Sequence, residues 1–503
     1  MNTAGLLSRQ VAPASALLAS LATHNAALDG SDMGTGKTYV AGAVIRDLDL
    51  PTLVVCPAIS ITGWRRAGAH LGVEFEAQSY EMLRGGNTPF GCWENPLPKK
   101  RQSYLVCEVC KCEVDVDSPR PCHLHQGGIH CVEVKKHPHK YGKFFWAEQI
   151  KFLVFDEVHR CAALDSLQAD MLIAARRQRI KTLALSATVA DSPLQLRALG
   201  YVLGLHNLID SKAVGSPSGF FQWARRQGCQ KLPFGGFHFA AGHDRKRTIL
   251  SKLHSEIFTC RGTRVRVADL PDFPKCQITA ELYDLEASGR IDELYAKMEH
   301  AIAEAHAQAE GRKQNSLTGF LGEREEIELL KVPIFEELYD DALTQGLHVA
   351  IFVNFRRTVD ELCKRLKLKC RVDGSQTGPR GAAERQAHVD DFLHDRSPGI
   401  VLTTPAGSAS IGLQDIYGNF PRLGLVSLGA SARDTRQVFG RLPREGAKSK
   451  SRYRVILISG TVEENTHQNI SGKLDCLDTL NDNDLFPCNL NLRSFERVLQ
   501  EGD

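Results

Sequence analysis

The stretch 30-GSDMGTGKTYVAG-42 decides how the rest of the chain is read. Gly36, Lys37 and Thr38 close the phosphate-loop pattern G-x-x-x-x-G-K-[ST], but its first glycine falls at position 31, which is Ser31. In such a loop the backbone around Gly34, Thr35 and Gly36 turns N–H groups toward phosphate oxygens. Lys37 would reach the β- and γ-phosphates, and the Thr38 hydroxyl would ligate Mg²⁺. A plain glycine turn at a helix start looks similar, so the surroundings must arbitrate. Upstream, 16-ALLASLATHNAALDG-30 reads as a helix and then a short apolar stretch. Downstream, TYVAGAVIRDL has apolar residues at helical spacing, and 52-TLVVCP-57 is an apolar run of strand length. Strand, glycine loop, helix and strand make the unit of an α/β domain with a parallel sheet.

Further along, 152-FLVFDEVH-159 is an apolar strand ending in two carboxylates. Asp156 suits the Mg²⁺ that Thr38 would share, and Glu157 would orient or deprotonate an attacking water. Another apolar strand runs into 185-LSAT-188. A second α/β pattern opens at 348-HVAIFVNF-355 and continues through helices at 358–368 and 383–393. Its later strands are 399-GIVLTT-404, 422-RLGLVSLG-429 and 454-RVILISG-460. Near its end, 437-QVFGRLPR-444 sets Gln437, Arg441 and Arg444 in the pattern Q-x-x-G-R-x-x-R. Arginines offered from a second domain onto a γ-phosphate stabilise the charge of phosphoryl transfer and make domain closure depend on the nucleotide.

With these residues in order, the chain resembles helicase superfamily two over almost its whole length, and within it the Snf-type DNA translocase branch. The resemblance accounts for Ser31, because a small residue often replaces the first loop glycine there, and D-M-G-T-G-K-T is a frequent form that includes Met33. Gln10 resembles the family's adenine-reading glutamine, and 56-CPAISITGW-64 its nucleic-acid-contacting segment. Segments 185–204, 261–271, 373–392 and 404–415 resemble its remaining motifs. Ser408, Ser410, Gln414 and Asp415 depart from the usual A-G-G-x-G-L-N-L, and 425-LVSLGASARD-434 lacks a Trp-x-Pro. In its compactness the chain is similar to stand-alone enzymes of phages and large DNA viruses.

Between the first two strands and Asp156 lies a segment of different character, 88–150, rich in Cys, His, Lys and Pro. Five of the 15 cysteines fall within 106-VCEVCKCEVDVDSPRPCHLHQGGIHC-131. Cys107 and Cys110 form one C-x2-C knuckle, and Cys122 with His125 a C-x2-H knuckle, which together can close a tetrahedral Zn²⁺ site. Cys112, His123, His130 and Cys131 are rivals for these places; free thiols and an iron–sulfur cluster are the alternatives. The basic flanks 99-KKR-101 and 135-KKHPHKYGK-143 suit a nucleic-acid contact or a solvated lysine face.

The expected architecture is α/β: two RecA-like parallel-sheet domains in tandem, with a zinc-binding insertion in the first and a helical segment between them. The first domain takes residues 1–275, the helical segment 276–345, the second domain 346–470 and a tail 471–503. Ile291, Leu294, Tyr295, Met298 and Ile302 keep a helical register in the joining segment. A net charge of +3 gives no overall pull on a polyanion, and no run of 18 apolar residues suggests a membrane span. The resemblance implies ATP and Mg²⁺, nucleic acid as partner, above all double-stranded DNA, and an intracellular site, cytoplasmic or nuclear. A strand-separating helicase and a non-catalytic clamp are the other functions considered. The clamp is disfavoured because Lys37, Asp156, Glu157, Arg441 and Arg444 are all present.

Overall fold

The computed structural model describes residues 1–86, 88–94, 103–107, 113–114, 131–135, 143–209, 218–232, 236–240, 242–270, 273–285, 288–297, 321–376, 378–407, 411–429, 431–459, 461 and 463. Two six-stranded sheets dominate it, and every pairing in both is parallel. The first runs, edge to edge, Gly262–Thr263, Ala26–Asp29, Lys181–Leu185, Phe152–Asp156, Thr52–Cys56, Glu76–Ser79. Its central strands are apolar throughout because helices cover both faces. Leu53, Val55, Leu153, Phe155 and Ala184 point into one core. Val54, Phe152, Val154, Leu183 and Leu185 point into the other, with Leu17 and Val44 from the helices Ser8–His24 and Lys37–Leu48. The two edge strands escaped the sequence reading. One has two residues and the other reads E-A-Q-S, too short and too polar to stand out.

The second sheet runs Cys276–Tyr283, Ser451–Ile458, Arg422–Ser427, His348–Val353, Gly399–Thr403, Arg371–Val372. Val349, Ile351, Leu425 and Ile456 face one core, and Phe352, Leu402, Val426 and Leu457 the other.

The segment 276–345, expected to be helical, instead opens with a strand. Cys276–Tyr283 pairs with Ser451–Ile458 along its whole length. Ile278, Ala280 and Leu282 pack on the core while Gln277, Thr279 and Glu281 alternate with them. That period of two in C-Q-I-T-A-E-L-Y was the available signal, and it was hidden beside a longer helical pattern. Helices follow at residues 288–297, Leu321–Leu330 and Val332–Thr344. Ile291, Leu294, Ile327 and Phe335 are buried against the second sheet, so these helices belong to its core. Met298 and Ile302 lie outside the described residues.

The insertion leaves the first domain through a two-stranded antiparallel neck, Gly91–Trp93 with Phe144–Trp146. Trp93, Phe144 and Trp146 are buried in edge-to-face contacts, with centroids 5.1 and 4.8 Å apart. Beyond the neck, Ser103–Cys107 pairs with Glu113–Val114 and with Cys131–Lys135, in a register that sets Cys107 opposite Cys131. Cys110, Cys122 and His125 lie outside the described residues. Among the described residues no group of three His, Cys, Asp or Glu side chains is placed to hold a metal. No described helix is long and apolar enough to cross a membrane.

Candidate nucleotide site between the two domains

The loop from Gly30 to Gly36 joins the C-terminal end of Ala26–Asp29 to the helix Lys37–Leu48. Ligands of open α/β sheets sit at this edge, where loops are free to vary. Gly36 caps the helix at φ 88°, a left-handed conformation that glycine adopts without strain. A side chain there would also meet Gln10 Nε2 at 2.2 Å. Ser31 stands where the pattern asks for glycine, and its φ is not positive. Its hydroxyl accepts from the Val265 N–H at 3.0 Å, so serine ties the loop to the segment that follows the edge strand Gly262–Thr263. Asp32 completes that brace, with Arg264 Nη2 at 2.7 Å and the Val267 N–H at 2.8 Å.

Lys37 Nζ donates to the carbonyls of Ser31 and Asp32 at 2.8 and 3.0 Å, folded back into the loop its phosphates would fill. Burial pulls its pKa down, opposed by the charges of Asp29, Glu157, Asp156 and Asp32. Asp29 is itself fully buried at the strand end, accepting from the Ser31 N–H at 2.9 Å, and burial raises its pKa against the pull of Lys37.

Asp156 and Glu157 end the central strand Phe152–Asp156, which brings them beside the loop. Burial, and then the charge of Glu157, push Asp156 up to about 6. Burial works to raise Glu157 too, but His159, Lys37 and Arg441 outweigh it and hold Glu157 down to about 2. Glu157 is therefore the more acidic of the pair, and Asp156 is the first to take up a proton as pH falls. Glu157 has φ 54°, a left-handed conformation uncommon outside glycine and asparagine, which costs about 1 kcal/mol or more and marks a functional constraint. Asp156 Oδ2 accepts from the Trp64 indole N–H at 2.9 Å. Trp64 is 1% exposed, so it positions a carboxylate and does not touch nucleic acid as its motif suggested. Its neighbours Arg65 and Arg66 are exposed, and Arg66 lines the cleft between the domains.

That cleft has a volume of about 710 Å³. From the first domain it is lined by Gln10, Met33, Gly34, Thr35, Gly36, Lys37, Thr38, Asp156 and Glu157. From the second it is lined by Gly412, Gln414, Arg441 and Arg444. Arg441 is buried, donating from Nη1 to the Ile411 carbonyl at 3.2 Å, and burial beside Arg444 lowers its pKa to about 9. Gln10 is held by the Leu7 N–H at 3.0 Å, with its amide 3.5 Å from the Thr35 carbonyl, at the rim of the phosphate loop. Thr38 and Asp156 offer a hydroxyl and a carboxylate, the hard oxygen donors that Mg²⁺ takes, so the residues present fit that ion.

Gln437 takes another part than direct contact with phosphate. It is buried, and its amide donates to His159 Nε2 at 3.2 Å. The imidazole proton then sits on Nδ1, which is 3.3 Å from Glu157 and 3.0 Å from Ser186 Oγ. His159 thus joins the acidic strand end, the 185–188 segment and the second domain. The sequence reading quoted it in the motif but gave it no role. Arg433 was missed altogether: it reaches from the second domain to Gln195 Oε1. Arg9 pairs with Glu445 across the same boundary. In the second domain Asn354 turns its amide to the carbonyls of Ser427 and Leu428, both at 3.3 Å, whereas Arg356 is exposed. Asp415 closes a turn by accepting from the N–H groups of Tyr417 and Gly418, and Ser408 and Ser410 lie outside the described residues.

Comparisons with known proteins agree with this geometry. Residues 8–191 match the family described as type III restriction enzyme, res subunit. Over 501 residues the chain is 29% identical to an Acanthamoeba polyphaga mimivirus protein named, provisionally, an ATP-dependent RNA helicase. That match takes in 96% of this chain and 86% of the relative. The family match lies within the first parallel-sheet domain, and a phosphate loop, an acidic strand end and two arginines of the second domain line one cleft, an arrangement similar to that of helicase-like ATPases of superfamily two.

Proposed function

We propose that ATP is hydrolysed in the cleft between the two domains and that the resulting closure and opening drive the chain along nucleic acid, with duplex DNA as its track. The observation that carries this is the placement of Lys37 and Glu157 on one wall and Arg441 and Arg444 on the other. Lys37 holds the β- and γ-phosphates, Glu157 orients and deprotonates the attacking water, and the arginines stabilise charge that develops in transfer. Thr38 and Asp156 hold Mg²⁺, which neutralises phosphate charge when bound. Gln437 and His159 align Glu157 only when the domains meet. We place the division between the two units at residue 275, where the strand of the second sheet begins.

Duplex DNA rests on the Snf-type resemblance. Strand separation on an RNA or DNA fork is the second reading, favoured by the name of the viral relative. ATPase rates with no polymer, duplex DNA, single-stranded DNA and RNA, run in parallel, separate these readings. Stimulation by duplex DNA with a fork left intact supports translocation; stimulation by RNA alone, or efficient fork unwinding, overturns it.

For the insertion we keep one Zn²⁺ per chain, held by Cys107, Cys110, Cys122 and His125. Cys131 is the alternative that the register with Cys107 supports. Metal analysis of the purified chain tests it: one zinc supports the site, and iron with labile sulfide replaces it by a cluster.

A further inference from the structure

We propose that the first domain carries a stacking platform for the unpaired bases of a nucleic-acid strand, built on Phe221 and Phe237 and ringed by cations. The proposal rests on the nucleic-acid motor reading above and, within it, on strand separation, since a duplex offers no unpaired base. After the helix Phe220–Arg226, the strands Cys229–Lys231 and Phe237–Phe239 form an antiparallel hairpin that pairs Lys231 with Phe237. Phe221 and Phe237 stack with centroids 4.9 Å apart and planes at 23°, yet Phe221 stays 46% exposed. A large aromatic left in water beside another offers a flat apolar face, and every base has a matching one.

The surroundings select an anion. Residues 218–247 hold six Lys and Arg and a single carboxylate, Asp244. Arg225, Arg226 and Lys231 are exposed, and the Arg225 guanidinium lies 5.8 Å from the Phe237 centroid. Lys246 lies 5.5 Å from the Phe239 centroid. Next to it in the helix His243–Phe258, Arg247 Nε and Nη2 are shielded from solvent with no hydrogen-bond partner among the described residues. Buried guanidinium donors are costly to leave unpaired, and a phosphate oxygen is the acceptor they suit.

The platform is also firmly seated. Phe220 is fully buried and stacks on Trp223 at 6.1 Å. Below them His206 Nε2 lies 3.2 Å from the Leu196 carbonyl. Strand Phe237–Phe239 packs on the turn Pro193–Leu196, whose Gln195 is the residue that Arg433 of the second domain reaches. The platform therefore borders the moving boundary between the domains. A strand stacked there is gripped by one domain while the other shifts.

The test measures binding of the full chain to labelled single-stranded RNA, single-stranded DNA and blunt duplex, beside polymer-stimulated ATPase. Phe221→Ala is expected to weaken single-strand binding about 5- to 150-fold, the range of one lost base stack, with blunt-duplex binding little changed. Lys231→Glu is expected to make the log–log salt dependence shallower by about 0.7, the value of one phosphate contact on a single strand. A photo-crosslinking residue in place of Phe221 should join to the strand, a readout that survives if the alanine variant folds poorly. Single-strand binding unchanged in both variants, with no crosslink and with ATPase still stimulated, overturns the platform and leaves the motor reading standing. Equal losses on single strand and duplex overturn base stacking. A parental chain that neither binds nor responds to any polymer overturns both readings together.

Discussion

The two domains share one scaffold and divide one chemistry. Each is a six-stranded parallel sheet buried on both faces, and each supplies one wall of the common cleft. In the first domain that edge carries a glycine loop, a buried lysine and two carboxylates. In the second, the equivalent end of His348–Val353 is tied down: the Asn354 N–H donates to the Glu328 carboxylate and its side chain caps carbonyls. Arginines take the place of the loop there. The difference teaches that the sheet only sets position. What each half does is decided by the few residues after each strand, and neither half holds a complete site.

The comparison breaks most sharply at Lys37. Lys37→Ala removes the cation of the first wall, and ATP turnover should fall to background in a steady-state assay. Arg441→Ala removes the matching cation of the second wall. Turnover at saturating ATP should drop about 10³-fold or more while ATP binding changes far less, as for an arginine finger. A variant that loses binding but keeps turnover would sink the two-wall cleft. Glu157→Gln should bind ATP as the parent does and lose about 10² to 10⁴ in rate, since only the general base is removed. Trp64→Phe is milder. It deletes the hydrogen bond to Asp156 and keeps the ring, so a loss of about 1 kcal/mol, or fivefold in rate, is expected. Wild-type rate in Trp64→Phe would mean that this hydrogen bond does not position Asp156 for turnover.

The smallest effect lies at His348, which begins the strand His348–Val353 of the second sheet. His348 Nδ1 accepts from Arg422 Nη1 at 2.7 Å, with Asp395 at 3.6 Å and Asp415 also within its field. Burial, then Arg422, lower the His348 pKa. A group with a lowered folded pKa contributes stability above its unfolded pKa, about 6.5 for histidine, and loses it as pH falls toward the folded value. Glu328 works the other way. Burial raises it to about 7, so the folded state is favoured as pH falls from 7 toward the ordinary glutamate range. A plain pH–melting curve mixes the two. The useful readout is the melting difference between the parent and His348→Asn, which should narrow from pH 8 to pH 5. A constant difference would mean that His348 is not held neutral.

Much of this was legible in the residues. The glycine loop, the D-E pair and the two arginines were placed by spacing alone, because phosphate chemistry needs those groups at the ends of strands that announce themselves as apolar runs. The strand Cys276–Tyr283 was not, because an edge strand in which polar and apolar side chains alternate is easily lost beside a longer helical pattern. The aromatic hairpin after Phe220 was not singled out either, since no motif spacing marks it.

By itself, then, the sequence determined the fold class, the nucleotide loop and which residue types could act, since each of these is carried by local periodicity and spacing. Only the tertiary structure decided who acts on whom. Trp64 meets Asp156 across 92 positions of chain, and His159 meets Gln437 across 278. Such contacts have no local signature. They exist because two separately buried sheets bring the ends of distant strands to one cleft, where exclusion of water makes each hydrogen bond and charge count.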